Sequence, residues 1–136
     1  MRVQADGARM IKDAYAGWLA TAYPTCKAVL EGDADYQPVP DRQQLLVADD
    51  GGQLICEVLA NPLIRVTAFA KDRTVARDIA AHAAGWIAEN RPAGIARVKN
   101  VSALLVTKDR ATGAYLASFT MPIIVRPTTT PIEEGD

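Results

Sequence analysis

Few side chains in this sequence are suited to chemistry, and their spacing sets what they could do. His82 is the single histidine, and Cys26 and Cys56 are the two cysteines. A cysteine beside a histidine can become a thiolate nucleophile, because the imidazole takes the thiol proton. No local motif ties either cysteine to His82, and no Cys or His pair is closely spaced enough to begin a metal site. His82 is instead expected at the edge of a helical apolar stripe, satisfied by one hydrogen bond. Ser102 and Ser118 fall in expected strands, without the Gly-x-Ser-x-Gly elbow of a serine nucleophile. Gly51-Gly52 lacks the companions of a phosphate-binding loop and reads as a turn. The acids are scattered, so no general acid–base pair stands out. No catalytic, metal-ligating or cofactor-binding residue is assigned, no cofactor is implied, and the chain is not read as an enzyme.

The elements that must position these residues centre on residues 62–90. Ile64, Val66 and Ala68 alternate with Arg65, Thr67 and Phe69, the period of a strand. Asp72 can cap a helix that runs over 72–90 and stops at Arg91-Pro92. Its apolar stripe is expected to be Val75, Ile79, His82, Ala83 and Trp86. The far side of that helix carries Arg73 and Arg77 in its first turns, then Ala81, Ala84, Gly85 and Ala88 with no charge. Alanine favours helix by itself. A small, uncharged surface also allows close backbone approach by another helix or another subunit, and both readings stand at this point.

A first helix is expected over 5–23, capped by Asp6, with Ala8, Ile11, Tyr15, Trp18, Leu19 and Ala22 on one stripe. Trp18 and Trp86 therefore serve packing better than ligand stacking. Residues 26–30 read as a short strand, and 31–43, rich in acid and proline, as a long connection. Leu45–Ala48 is a strand, Asp49-Asp50-Gly51-Gly52 a turn, and Gln53–Leu59 the returning strand, broken by Asn61-Pro62. Ala96–Thr107 and Ala114–Val125 form a hairpin around the charged turn 108–113, with Tyr115, Ala117, Phe119 and Met121 on one face. Pro122 is expected to demote the end of that strand to an edge or a bulge. The fold class is α+β: a mixed or antiparallel sheet covered on one face by two amphipathic helices, as one domain over 1–127 with a loose tail over 128–136.

The totals narrow the function classes. A chain of 136 residues with 49% apolar and 23% charged residues is large enough for one self-supporting core. A net charge of −1 argues against a protein whose main affinity is for nucleic-acid phosphates. The apolar runs are too short to span a membrane, and no signal-peptide core opens the chain, so residence in the cytosol where it is made is expected. Two isolated cysteines there are expected to stay reduced.

With the elements in order, the pattern resembles a family. A strand ending Ile-Arg-Val-Thr-Ala-Phe-Ala-Lys-Asp runs into an alanine-rich helix containing Val-Ala-Arg-Asp-Ile-Ala. A hairpin ending Met-Pro-Ile-Ile-Val-Arg-Pro follows. Over residues 5–127 this resembles the tail terminator (tail completion) proteins of long-tailed phages. The resemblance implies a virion structural protein made in the host cytoplasm and located in the tail. It implies a six-membered homo-oligomeric ring on the head-proximal end of the tail tube, ending tube polymerisation and joining tail to head. Its partners are then itself, the tail tube protein and the head-completion or connector protein. DNA passes the lumen without specific binding, and no membrane is involved. On this reading Ala81, Ala84, Gly85 and Ala88 pack between subunits, while the loops 31–43 and 108–113, with Asp35, Tyr36, Lys108, Asp109 and Arg110, reach neighbouring rings. Another head–tail connector or minor tail protein shares this logic. A small cytosolic α+β enzyme or ligand-binding domain centred on His82 is the alternative from a different class, and it requires a pocket converging on that residue.

Overall fold

The computed structural model describes the backbone of residues 2–3, 5–31, 37–56 and 59–129, with side chains for 5–31, 37–51 and 61–127. Strand β1 is Arg2–Val3, and helix α1 follows as Gly7–Ala22. The Asp6 carboxylate accepts a hydrogen bond from Arg9 N at 3.1 Å, a cap that stabilises the helix by about 1 kcal/mol. Tyr23, before Pro24, leaves the helical region and ends the element. Ala8, Ile11, Tyr15 and Leu19 are buried as the spacing predicts, Trp18 is half-buried, and Ala22 at the end of the expected stripe is exposed.

Strand β2, Cys26–Val29, pairs in parallel with β3, Gln43–Cys56. The latter overturns an expectation. Asp49-Asp50-Gly51-Gly52 does not reverse the chain. The Asp49 carboxylate accepts from Gly51 N at 3.0 Å, Gly51 takes φ +95°, and the pairing with β4 shifts register there. These are the marks of a bulge, and the strand continues past it. The reversal falls later, because Cys56 pairs with Leu59 at the start of β4, Leu59–Ala70. Asn61-Pro62 is likewise not a break. Pro62 lies in β4 opposite Gly52, where the register already shifts, so its missing N–H interrupts no regular ladder.

Helix α2 spans Arg73–Glu89, with the Asp72 carboxylate accepting from Thr74 N at 2.8 Å. Its buried face is Ala76, Ile79, Ala80, Ala83 and Ile87. The expected stripe is therefore turned by roughly 70° at about 100° per residue. Val75 and His82 are exposed and Trp86 is half-buried. The reason is steric. Small alanines let the helix lie close on the sheet, and the bulky rings fill the wider space beside it.

Beyond α2 the hairpin forms, in two pieces on one side. Strands β5, Ile95–Val98, and β6, Leu105–Lys108, both pair antiparallel with β7, Tyr115–Val125. Strand β7 also pairs along β4, so it is interior, and Pro122 does not place its end at an edge. The Pro122 carbonyl accepts from Lys99 N at 2.8 Å, so its missing N–H faces the same side, opposite the irregular stretch 99–104. Ser102 bridges that gap: its N donates to Thr120 O at 2.8 Å and its Oγ accepts from Thr120 N at 2.9 Å. Strand β8, Thr128–Thr129, pairs with β1, within the stretch expected to be loose; residues 130–136 lie outside the described residues.

The main sheet has six strands, ordered β2-β3-β4-β7-β5 with β6 also on β7. Helix α1 packs over β2 and β3, and α2 over β4 and β7. The two helices lie side by side on one face, joined by Tyr15, whose hydroxyl donates to Ala83 O at 2.9 Å. Between helices and sheet lie Leu45, Val47, Ile64, Val66, Phe119, Met121 and Ile123, all buried. Each large side chain removed from water there contributes about 1.5–3 kcal/mol. The architecture is α+β in a single domain, as the sequence pattern predicts.

Candidate functional site

Because α2 is turned, its two flanks carry different surfaces. One faces α1. There Trp18 and Trp86 stack with ring centroids 5.5 Å apart at 20°, and Tyr15 packs against both at 5.9 and 5.6 Å. Tyr23 meets Trp18 edge-on at 5.9 Å. The helices run antiparallel, so Tyr23, at the end of α1, reaches His82, near the middle of α2. The Tyr23 hydroxyl lies 2.5 Å from His82 Nδ1 and donates to it when the imidazole proton is on Nε2. Trp18, Ala22, Tyr23, His82 and Trp86 line an open groove of about 460 Å³.

Among the described residues His82 makes one hydrogen bond, as expected, but on an exposed ring rather than at a core edge. Cys26 does not join it. Burial pushes the Cys26 thiol up to about 12, the reverse of what an activated nucleophile needs. Burial first, then the Asp78 carboxylate and Cys26, raise the Tyr23 hydroxyl above the ordinary phenol range, so it remains a proton donor near neutral pH. The side chain of Cys56 lies outside the described ones. Among the described residues no three His, Cys, Asp or Glu side chains gather as a metal site. Ser102 is committed to the β7 backbone, with its Oγ also donating to Ala103 O at 3.0 Å.

The other flank of α2 faces the β5 side of the sheet. Ala81 and Ala84 are half-buried, with Ala84 packed partly against the core, and Ala88 is exposed. Gly85, about 20° around the axis from Asp78, is exposed on the outward face between the two flanks. A Cβ built on Gly85 meets nothing within 4 Å, so no described part of the chain covers that position. Arg73 and Arg77 stand on this flank, exposed. The turn holding Lys108, Asp109 and Arg110 is well determined by its own bonds. The Asp109 carboxylate accepts from Ala111 N at 3.0 Å and Thr112 Oγ1 at 2.8 Å, and Gly113 closes the turn at φ +79°. Asp109 is thus a structural residue, whereas Arg110 is exposed and Lys108 sits 5.3 Å over the Tyr115 ring. Asp35 and Tyr36 lie outside the described residues.

The pairing of Tyr23 with His82 and the position of Asp78 beside them had only a faint signal in the sequence. An aromatic residue before Pro24 at a helix end hints at an exposed ring. Nothing local says which helix it meets. No helix among the described residues is long and apolar enough to cross a membrane. No model of a known protein family and no curated protein matches the sequence.

Proposed function

We propose that this chain is a virion structural protein whose copies form a ring, a hexamer on the family resemblance, that caps the head-proximal end of a phage tail tube. In that role it ends tube polymerisation and offers the connector protein a surface for joining tail to head. The observation that carries the reading is the open outward surface of α2, where Gly85 and Ala88 are exposed, Ala81 lies between them, and no described part of the chain covers Gly85. A ring needs two different patches on each subunit, and a small-residue helix flank supplies one that a neighbour can approach closely. The committed bonds of Ser102 and the raised Cys26 thiol are consistent with a structural role.

The test is to add the purified chain to growing tubes of the cognate tail tube protein. Bound rings at one tube end and arrested growth are expected. Binding to the portal complex instead moves the assignment to another head–tail connector, and binding to neither overturns it. Ala84→Arg should lower oligomer mass in light scattering while far-ultraviolet circular dichroism stays unchanged; undiminished assembly removes this flank as the interface.

The groove beside His82 favours one second reading, a small-ligand site of a cytosolic α+β protein. It predicts a ligand whose affinity falls in His82→Ala while the fold persists; a ligand screen followed by tryptophan emission that finds none ends that reading.

A further inference from the structure

The two flanks of α2 are chemically complementary to each other. On the α1 side, indole, phenol and imidazole rings line a concave groove. Asp78 stands one turn before His82, near enough for its charge to act on the Tyr23 hydroxyl, exposed and without an ion-pair partner among the described residues. Arg77 is five residues from His82, about 140° around the axis, so it points away from the groove. Arg73 and Arg77 are both exposed and, among the described residues, also without an ion-pair partner.

We propose that the groove between α1 and α2 receives the Arg77 flank of α2 from a second copy of this chain, so that copies join head to tail. The chemistry is that of a guanidinium. Its planar face lies on indole or phenol rings, and its fork of N–H donors matches a carboxylate such as Asp78. Ala81 and Ala84, one and two turns beyond Arg77, let the incoming helix come close. Both patches sit on one rigid helix and face apart, so a molecule cannot satisfy them by itself. A two-fold pair that sets groove on groove or flank on flank puts like against like. One that exchanges Arg77 with Asp78 closes at the dimer, so a mass that stops at the dimer overturns head-to-tail joining. Head-to-tail repetition brings groove to arginine flank, and it gives a ring where the rotation closes. A net charge of −1 leaves little overall repulsion between copies. This contact rests on the ring reading above and names its two surfaces.

Both tryptophans of the chain, Trp18 and Trp86, line the groove, so intrinsic emission reports its occupancy directly. The experiment follows light-scattering mass and tryptophan emission over a concentration series for the wild type, Arg77→Glu, Asp78→Lys, and an equimolar mixture of the two variants. Thermal melts verify that each exposed-site variant is folded. Mass and emission of the wild type should change together. Each single reversal places like charges across the contact and should weaken association at least about tenfold. The mixture should recover it, since the glutamate introduced at position 77 of one variant then faces the lysine introduced at position 78 of the other, while the native pair survives at alternate contacts.

A mixture no better than either variant overturns the proposal, as does wild-type association without an emission change. So does a wild type that stays monomeric to about 1 mM. A monomer whose emission responds to an arginine-containing peptide assigns the groove to a different partner and equally overturns self-docking. Running the tube-end assay on the same variants separates the two readings. Tube capping without charge recovery removes this contact alone; charge recovery without tube capping removes the tail role alone.

Discussion

Cys26 shows how burial sets the behaviour of a single side chain. Its thiol is held at about 12 against an unfolded value of 9.0, with desolvation the cause. A group whose pKa is raised by folding contributes stability in full below the unfolded value. That contribution is lost as pH rises, because the unfolded chain releases its proton first. In a Cys56→Ser background, unfolding free energy should therefore begin to fall near pH 9, with one proton accounting for about 1.4 kcal/mol per pH unit. Chemical denaturation across pH 8–11 measures this. A Cys26→Ala variant should lose that part of the slope, and Tyr15, also raised by burial, should continue the decline above pH 10. An unchanged profile in Cys26→Ala refutes the assignment.

Among the elements, three glycines separate conformational from steric cost. Gly94 has φ +89°, and a Cβ there would overlap Met10 Cε; Gly113 has φ +79° with open space around it. Gly113→Ala should cost about 1–2 kcal/mol for the left-handed backbone alone. Gly94→Ala should cost at least as much, because the end of the Met10 side chain must also swing aside. Denaturant midpoints decide the order, and a clearly smaller loss at Gly94 contradicts it. Gly85 is the opposite case: it lies inside α2 with nothing near its Cβ position. Gly85→Ala should stabilise the isolated subunit by about 0.5–1 kcal/mol. If the flank is packed against a neighbour, the same change should weaken assembly, so a variant more stable as a monomer and unimpaired in oligomer mass speaks against close packing at that position.

For the molecule as a whole, the arrangement of helices on the sheet decides which surfaces are available to partners. Helix α1 occupies the β2–β3 half and α2 the β4–β7 half, so the aromatic groove opens between them and the arginine flank opens toward β5. Leu105 on β6 is 60% exposed at the sheet edge; it pairs with Ser118, whereas Val106 pairs with the buried Ala117, so Leu105 faces the side of the sheet away from the helices. A head-to-tail assembly uses opposite sides of the helix layer and leaves the sheet edges for other contacts. Tube-end binding and the exchange of charge between Arg77 and Asp78 are the measurements at this scale.

Periodicity and capping chemistry were enough to find the two helices, the β4 alternation and the final hairpin, because these depend on local spacing. Asp6 and Asp72 cap where their side chains can reach the next turn's N–H groups, whatever the rest of the chain does. The exposure of Gly85 and Ala88 on α2 follows from the spacing too, whereas Ala84, expected on the same uncharged side, packs partly against the core. Three features depended on contacts between distant segments. Asp49–Gly52 became a bulge because β4 supplied a partner on both sides of it. Pro122 entered an interior strand because its missing N–H met an interruption in the neighbouring edge. The face of α2 was decided by how closely the sheet accepts alanine and by where Tyr15 and Trp18 needed room. That last choice turned His82 outward and assembled the groove, and no spacing within α2 alone could distinguish the two faces.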